Sequence, residues 1–477
     1  MALPNRINYS ANFCDRCQLA KEYCTMPNLS AIFASVSTAV LLLVATCASA
    51  QKFGDAVLVY EWNQLQFAWP SNADREAAIQ NKTYVPEQSM LAGIKIYKGD
   101  VYLTVPRWIW LNGHPVVLAK VVNTTGQAIL QPYPSWAAQK QGDCNSLQYV
   151  QSMEIDPNTG LMYVIDTGVI AFQQYVCPPK VVIYDLKTNK QTDKYEFPED
   201  VVNRTAVFLN DIVLDYINGT VRYLYITNTF GNTIVVYDIQ ARSSYKISHS
   251  TMGLEGNGAE NITINNITYT FPMAVNGLAM TADFKYAYYS SLAGYNLHQI
   301  PTSTLRNRSA GTAGIRVVGR KRSQTDGLAH GNTRLYYGAI SLSAVYYWDK
   351  EKDLADQKVG EDKVNMTTQR ELKGDNSTME WPDTFAFDEQ GWLWVVTGRL
   401  QVYWMSRGVP ESGDPFIRVW KIYVNENSYL NQADKRTAAG NVNNGAGSMF
   451  LQSVGGVHTT AIISGLFIFS SVWARMF

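Results

Sequence analysis

The stretch Asp156-Pro157-Asn158-Thr159-Gly160-Leu161-Met162-Tyr163-Val164-Ile165-Asp166 sets a turn against a short aromatic-bearing strand, and the same plan recurs along the chain. Pro, Asn and Gly fix a reversal, and the β-branched and aromatic residues that follow suit a pleated, half-buried surface. Five other segments match it: Val101–Val105, Leu224–Asn228, Ala287–Ser291, Leu335–Ala339 and Leu393–Thr397. Each follows turn chemistry, at Lys98-Gly99-Asp100, Asn218-Gly219, Thr281-Ala282-Asp283, Gly331-Asn332 and Asp388-Glu389-Gln390-Gly391. Aligned on Tyr102, Tyr163, Tyr225, Tyr288, Tyr336 and Trp394, the steps are 61, 62, 63, 48 and 58 residues. A further strand follows each, at Pro115–Lys120, Lys180–Leu186, Thr233–Ile239, Tyr295–Ile300, Leu342–Trp348 and Ile417–Tyr423. Apolar segments such as Gly93–Tyr97, Met153–Ile155, Val275–Met280 and Thr384–Phe387 precede the turns. Three or four strands repeated six times predict an all-β chain folded as a single-domain, six-bladed β-propeller over residues 55–430. A pair of stacked sandwiches, the competing architecture, does not require a period near 60. Ala56–Trp62, ahead of the first full unit, is placed to pair into the last blade and close the ring.

Composition agrees. Of 477 residues, 46% are hydrophobic and 17% charged, enough apolar content for a large core and too few charges for a disordered chain. Lys plus Arg equals Asp plus Glu at 40 each, so no charge excess argues for a nucleic-acid partner. The five histidines, His114, His249, His298, His330 and His458, show no metal-ligand spacing. No Gly-rich phosphate loop or G-x-S-x-G elbow occurs, and Arg320-Lys321-Arg322 reads as a solvated basic loop.

The ends read as addresses. Residues 29–50 form an apolar run closing on Ala48-Ser49-Ala50, a cleavage signature, so residues 1–50 are read as a signal peptide with a leader, with Met26 an alternative start. Cleavage leaves Cys144 and Cys177, expected to form one disulfide. Beyond residue 50, Asn81, Asn123, Asn203, Asn218, Asn261, Asn266, Asn307, Asn365 and Asn376 each open an Asn-x-Ser/Thr sequon, which predicts a secreted, extracellular glycoprotein. Residues 431–458 form a polar spacer and 459–477 a hydrophobic tail. With Asn444-Gly445-Ala446 upstream, these resemble a lipid-anchor signal, the one expected route to a membrane.

Several motifs carry a family likeness. Trp62-Asn63-Gln64-Leu65-Gln66-Phe67-Ala68-Trp69-Pro70-Ser71, Tyr84-Val85-Pro86-Glu87, Val105-Pro106-Arg107-Trp108, Pro132-Tyr133-Pro134-Ser135-Trp136 and Cys177-Pro178-Pro179-Lys180 resemble the yellow / major royal jelly protein family of insects. Trp381-Pro382-Asp383, Trp394-Val395-Val396 and Gly398-Arg399-Leu400 extend the resemblance through the repeats. The chain departs from the family pattern at Asn228, Ser343 and Tyr347. The resemblance implies a secreted propeller tied to cuticle or eggshell pigmentation and the melanin pathway. It also implies a catecholamine or biogenic-amine ligand in the central channel, or dopachrome-converting isomerase activity.

A propeller gathers strand ends and their following loops around its axis, so polar residues there are candidates for a site. Arg107, Asp166, Asn228, Asn276, Thr325, Asp326, Ser343, Asp383 and Arg399 fit that description, with Trp108 and Tyr289 as aromatic walls for an amine. Catalysis on a quinone-like ring needs a base, and Asp166 or Asp383 is the available type. Asn276-Gly277-Leu278-Ala279, Asp326-Gly327 and Trp381-Pro382-Asp383 also resemble elements of calcium-assisted lactonase-like hydrolases, whose oxygen ligands suit calcium. No other cofactor is expected. The small-molecule reading requires a solvent-filled pore, and hydrophobic plugs at both mouths would remove it.

Overall fold

The computed structural model describes residues 53–124, 127–410 and 413–431. The leader, nearly all of the spacer and the hydrophobic tail lie outside the described residues. No described helix is long and apolar enough to cross a membrane.

Six four-stranded antiparallel sheets form the blades. Their inner strands are Ile94–Tyr97, Val150–Asp156, Leu209–Ile217, Val275–Met280, Leu328–His330 and Pro382–Phe387. The second strands are Asp100–Thr104, Leu161–Asp166, Thr220–Asn228, Tyr286–Ser291, Arg334–Ala339 and Trp392–Gly398. The third are Leu118–Thr124, Lys180–Asp185, Thr233–Asp238, Asn296–Pro301, Ala344–Asp349 and Ile417–Tyr423. Blades one to five end on Gln127–Pro132, Lys190–Glu196, Ser243–Ser248, Arg316–Arg320 and Gln369–Gly374. Blade six takes its outer strand from the other end of the sequence: Ala56–Trp62 pairs antiparallel with Ile417–Tyr423. The ring is therefore closed by main-chain hydrogen bonds rather than by side chains alone.

The tyrosine-bearing strand, first in each sequence repeat, is second in its blade; the apolar segment before the turn lines the axis. The quoted turn shows why the hairpin forms there. Asp156 accepts the Asn158 N–H at 2.9 Å and the Thr159 hydroxyl at 2.6 Å, and Gly160 takes the positive φ of 76°. All six repeat aromatics, Tyr102, Tyr163, Tyr225, Tyr288, Tyr336 and Trp394, are buried. Each contributes on the order of 2 kcal/mol by removing its ring from water. Trp394 also donates its indole N–H to Asp388 at 2.8 Å, tying ring to turn.

The loops from one blade to the next, and those from second to third strands, share one face of the ring. Cys144, between blades one and two, and Cys177, in the second-to-third connection of blade two, are joined there by a disulfide. Lys321 corrects the solvated-loop reading: it is buried, and its Nζ donates to Ser290 Oγ at 2.6 Å and to Gly294 O at 3.1 Å.

Candidate functional site

Four inner strands break register with their neighbours at the same level, between Val150 and Met153, Leu209 and Ile212, Val275 and Leu278, and Pro382 and Phe385. Bulges of this kind bend a strand and re-aim its side chains. Here they fall on Gln151-Ser152, Asn210-Asp211, Asn276-Gly277 and Asp383-Thr384, and Asp326-Gly327 stands just ahead of the inner strand of blade five. Polar residues from five blades thus converge at the loop-side end of the axis. The glycines permit the convergence. A Cβ on Gly277 would strike the carbonyl of Asp326, and one on Gly327 the carbonyl of Asp383, so adjacent blades meet there backbone to backbone.

Charge is concentrated at this level, on Asp211, Asp326 and Asp383. Asp211 Oδ2 accepts the Leu278 N–H at 2.9 Å, and Oδ1 accepts the Ile212 N–H at 2.9 Å. Asp326 Oδ2 accepts the Trp381 indole N–H at 2.7 Å. Lys95 and Glu154 form an ion pair of 2.8 Å on the facing wall. Burial pushes Asp211 up to about 6, against the opposing pull of Lys95 and the two backbone N–H groups. Burial pushes Asp326 up to about 7, with Trp381 and Asn276 hydrogen bonds working the other way and Asp211 adding to the rise. Asp383 is raised well above the usual carboxylate range by burial first, then by Asp326 and Asp211. Three carboxyls buried in one site cannot all ionise cheaply, so protons are retained near neutral pH.

Aromatic rings roof the loop-side mouth. Phe172 stacks on Trp404 with centroids 6.0 Å apart and planes 12° apart, and packs edge-on against Phe208 at 4.8 Å. Trp108 reaches under the roof to donate to Gln151 Oε1 at 2.9 Å, and Phe271 packs on Trp381 at 5.0 Å. The space enclosed beneath is about 30 Å³. Farther along the axis a channel of about 70 Å³ touches all six inner strands. Each holds only a few waters. At the opposite mouth Tyr429 is buried against Phe284 and accepts the Leu214 N–H at 2.8 Å. The wide solvent-filled pore expected from sequence is therefore corrected: aromatic rings narrow both mouths, and what distinguishes the axis from a hydrophobic plug is its polar, ionisable interior and the hydroxyl that Tyr429 brings to the second mouth.

The candidates read from sequence separate into two groups. Trp108, Asn276, Asp326 and Asp383 stand at the axial site, with Thr325 buried beside Asp326. Asp166, by contrast, closes blade two: it accepts N–H groups from Gln148, Tyr149 and Gly168, and its Oδ2 meets Lys180 at 2.8 Å. Asn228 holds the corresponding place in blade three, accepting the Phe208 N–H at 2.9 Å. Arg107 spends its guanidinium on the carbonyls of His114, Gln139 and Gln148. Ser343 supplies a left-handed turn position at φ 47°, Arg399 faces Glu380 at 3.4 Å, and Tyr289 bonds Thr251 and stacks on His298. None of these six lines the axial spaces. The physical reason is the strand order: ends of second strands clamp the loop entering the inner strand and do not reach the axis.

Gln151, Asn210 and Asp211 join the site without being among the sequence candidates. Counting back from each repeat aromatic finds them. Gln151 stands 12 residues before Tyr163, Asn276 12 before Tyr288, Asp326 10 before Tyr336, and Asp383 11 before Trp394. Asn210 stands 15 before Tyr225, because the hairpin of blade three is longer.

The model of the family described as Major royal jelly protein matches residues 148–414. Protein yellow of Drosophila pseudoobscura pseudoobscura is 24% identical over 365 residues, 73% of this chain and 63% of that relative, so the chain spans less than two thirds of its length. Major royal jelly protein 2 of Apis mellifera is 26% identical over 359 residues, 72% of this chain and 78% of the relative. Among solved structures, the PQQ-bound aldose sugar dehydrogenase of Streptomyces coelicolor aligns over 79% of this chain and all of its own length. Its TM-score is 0.40 and its identity 11%, too distant to bear on chemistry. A family model running from the inner strand of blade two into the last blade, over a ring built on the repeats that suggested it, places the chain in the major royal jelly protein family.

Proposed function

We propose that the chain is a secreted, N-glycosylated yellow-type propeller whose axial site takes a small aromatic amine of the catecholamine class, serving cuticle or eggshell pigmentation. The observation that carries this reading is the stacking of functions along the axis: an aromatic roof, then amides, then Asp326 and Asp383 within. An ammonium group gains from the ring faces and from a carboxylate, and a catechol or indole ring gains from Trp108, Phe172 and Trp404. Entry requires the half-buried Trp404 and Phe172 to part, because the space beneath them is smaller than such a ligand. Secretion is supported by exposure of the eight sequon asparagines whose side chains are described, Asn81, Asn203, Asn218, Asn261, Asn266, Asn307, Asn365 and Asn376. The Asn123 side chain lies outside the described residues.

Dopachrome conversion is the second reading, favoured by one observation. A base moving a proton between ring positions works best with a pKa near the operating pH, and Asp326 is held at about 7. A calcium-assisted lactonase-like hydrolase is the reading this geometry favours least. Asn276, Asp326 and Asp383 would be its oxygen ligands, but burial holds protons on Asp326 and Asp383, which a cation would have to displace.

Dopamine and serotonin calorimetry, run beside a dopachrome turnover assay and a melting curve with and without millimolar calcium, separates the three. Saturable heat without turnover supports a binder and turnover an isomerase. A calcium-dependent rise in melting temperature alone supports the hydrolase, and silence in all three removes the axial ligand altogether.

A further inference from the structure

A second concavity, of about 670 Å³, lies beside blade one on the loop-bearing face and shares no residue with the axial lining. Its walls come from four stretches of chain, which carry Trp69, then Ala78 and Thr83, then Asn112 and His114, then Trp136 and Gln141. Trp69 and Trp136 pack ring on ring, 4.6 Å between centroids and 34° between planes, and both remain half-buried. Trp136 donates its indole N–H to Ala68 O at 3.1 Å, whereas the buried indole nitrogen of Trp69 has no partner among the described residues. His114 is 2% exposed, and neither of its ring nitrogens is bonded among the described residues. Three such atoms, buried on two residues that line one groove, form a cluster of unmet hydrogen-bonding capacity that folded proteins normally satisfy.

The chemistry of the walls selects the occupant. Burial, then the neighbouring Arg107, lowers the His114 pKa to about 3, so its imidazole is neutral and presents one donor and one acceptor. A cationic ligand would meet Arg107 and Lys140 in the same walls. An anion would find the Arg107 guanidinium already committed to the carbonyls of His114, Gln139 and Gln148, leaving it only the exposed, solvated Lys140 at the rim. A neutral ring with an apolar face for indole and polar groups at its rim meets all these demands, and the volume suits a small oligomer.

We propose that this groove is a saccharide-binding site, with the Trp69–Trp136 pair as platform and His114 and the Trp69 N–H reading ring substituents. Two sources of sugar are available to it. One is a free oligosaccharide. The other is the chain's own glycan at Asn81, whose sequon ends on Thr83 in the groove wall.

The test titrates N,N′-diacetylchitobiose into the full chain from a secretory host and into its Asn81→Gln variant, read by tryptophan fluorescence and calorimetry. Saturable binding to both forms supports the proposal with a free sugar as ligand; binding only to Asn81→Gln supports it with the attached glycan as occupant. His114→Phe keeps the ring shape and removes both nitrogens, so it should weaken binding about tenfold at unchanged melting temperature. Should that variant fail to fold, Trp136→Ala serves, with the same loss expected. Asp326→Asn, at the axis, should leave sugar binding unaltered. No saturable signal in either form up to about 10 mM overturns the proposal, since weaker affinity than that falls short of a built site. So does binding that survives both groove variants or disappears in Asp326→Asn.

Discussion

Asp326 joins two properties that pull in opposite directions. Its carboxyl is buried beneath tryptophan rings, yet a cationic ligand needs it ionised. An acid whose folded pKa stands above its unfolded value of 3.8 binds more protons folded than unfolded across that interval. Stability therefore falls as pH rises from about 4 to about 7, and the penalty is fully present above both values. Asp326→Asn should then melt higher than wild type by about 2–5 °C at pH 8, with the gap closing by pH 4, as read by differential scanning fluorimetry. The same variant should lose amine affinity about tenfold or more, because the charged partner is gone. In wild type, amine affinity should rise as pH passes through 7 and flatten above about 8; calorimetry at a series of pH values checks both the direction and its loss in Asp326→Asn. Asn276, Asp326 and Asp383 were legible in sequence because each sits in a dipeptide or tripeptide with turn character. Asp211 was not, since Leu209-Asn210-Asp211-Ile212 reads as ordinary strand and only the bulge turns its carboxylate inward.

At the scale of the strand, the recurring device is a polar residue ending a second strand and grasping the loop that enters the inner one. Asp166 does this with three backbone N–H groups and the buried Lys180, and Asn228 with one N–H. Removing one partner of a buried ion pair leaves the other charge unsatisfied, so Asp166→Ala should cost about 3–5 kcal/mol in denaturant unfolding. Amine affinity of the fraction that folds should not change, which separates a clamp from a ligand contact. The sequence displayed Asp166 and Asn228 at strand ends without saying which strand of the blade they end. Turn-plus-aromatic spacing announces a hairpin clearly, but the position of that hairpin between axis and rim depends on how blades pack, and packing is set by residues far apart in the chain. The inner strand of blade five, only Leu328–His330, leaves almost no periodic signal of its own.

For the whole molecule, closure decides whether the other scales matter. The six-fold count and the pairing of Ala56–Trp62 into the last blade were both readable, because the repeats are regular and one strand was left over at the start. Six blades sharing one ring hold the bulged strand ends in place, so the axial site exists only while the ring is shut. Deleting residues through Trp62 would bare the edge of Ile417–Tyr423 and should yield aggregates in size-exclusion chromatography where the full chain gives a single species. The roof and the narrow pore were not readable. Phe172, Phe208, Phe271 and Trp404 come from loops of four different blade connections, and nothing in their local sequence distinguishes a ring over the axis from one in the core.

Soaking crystals of the protein with dopamine would show whether the axis opens to an amine. Ligand density is expected under a displaced Trp404, with the ammonium within hydrogen-bond reach of Asp326 or Asp383 and the catechol ring against Trp108 or Phe172. An axis that stays closed at saturating dopamine, or density bound elsewhere on the molecule with the carboxylates untouched, would contradict an axial amine site.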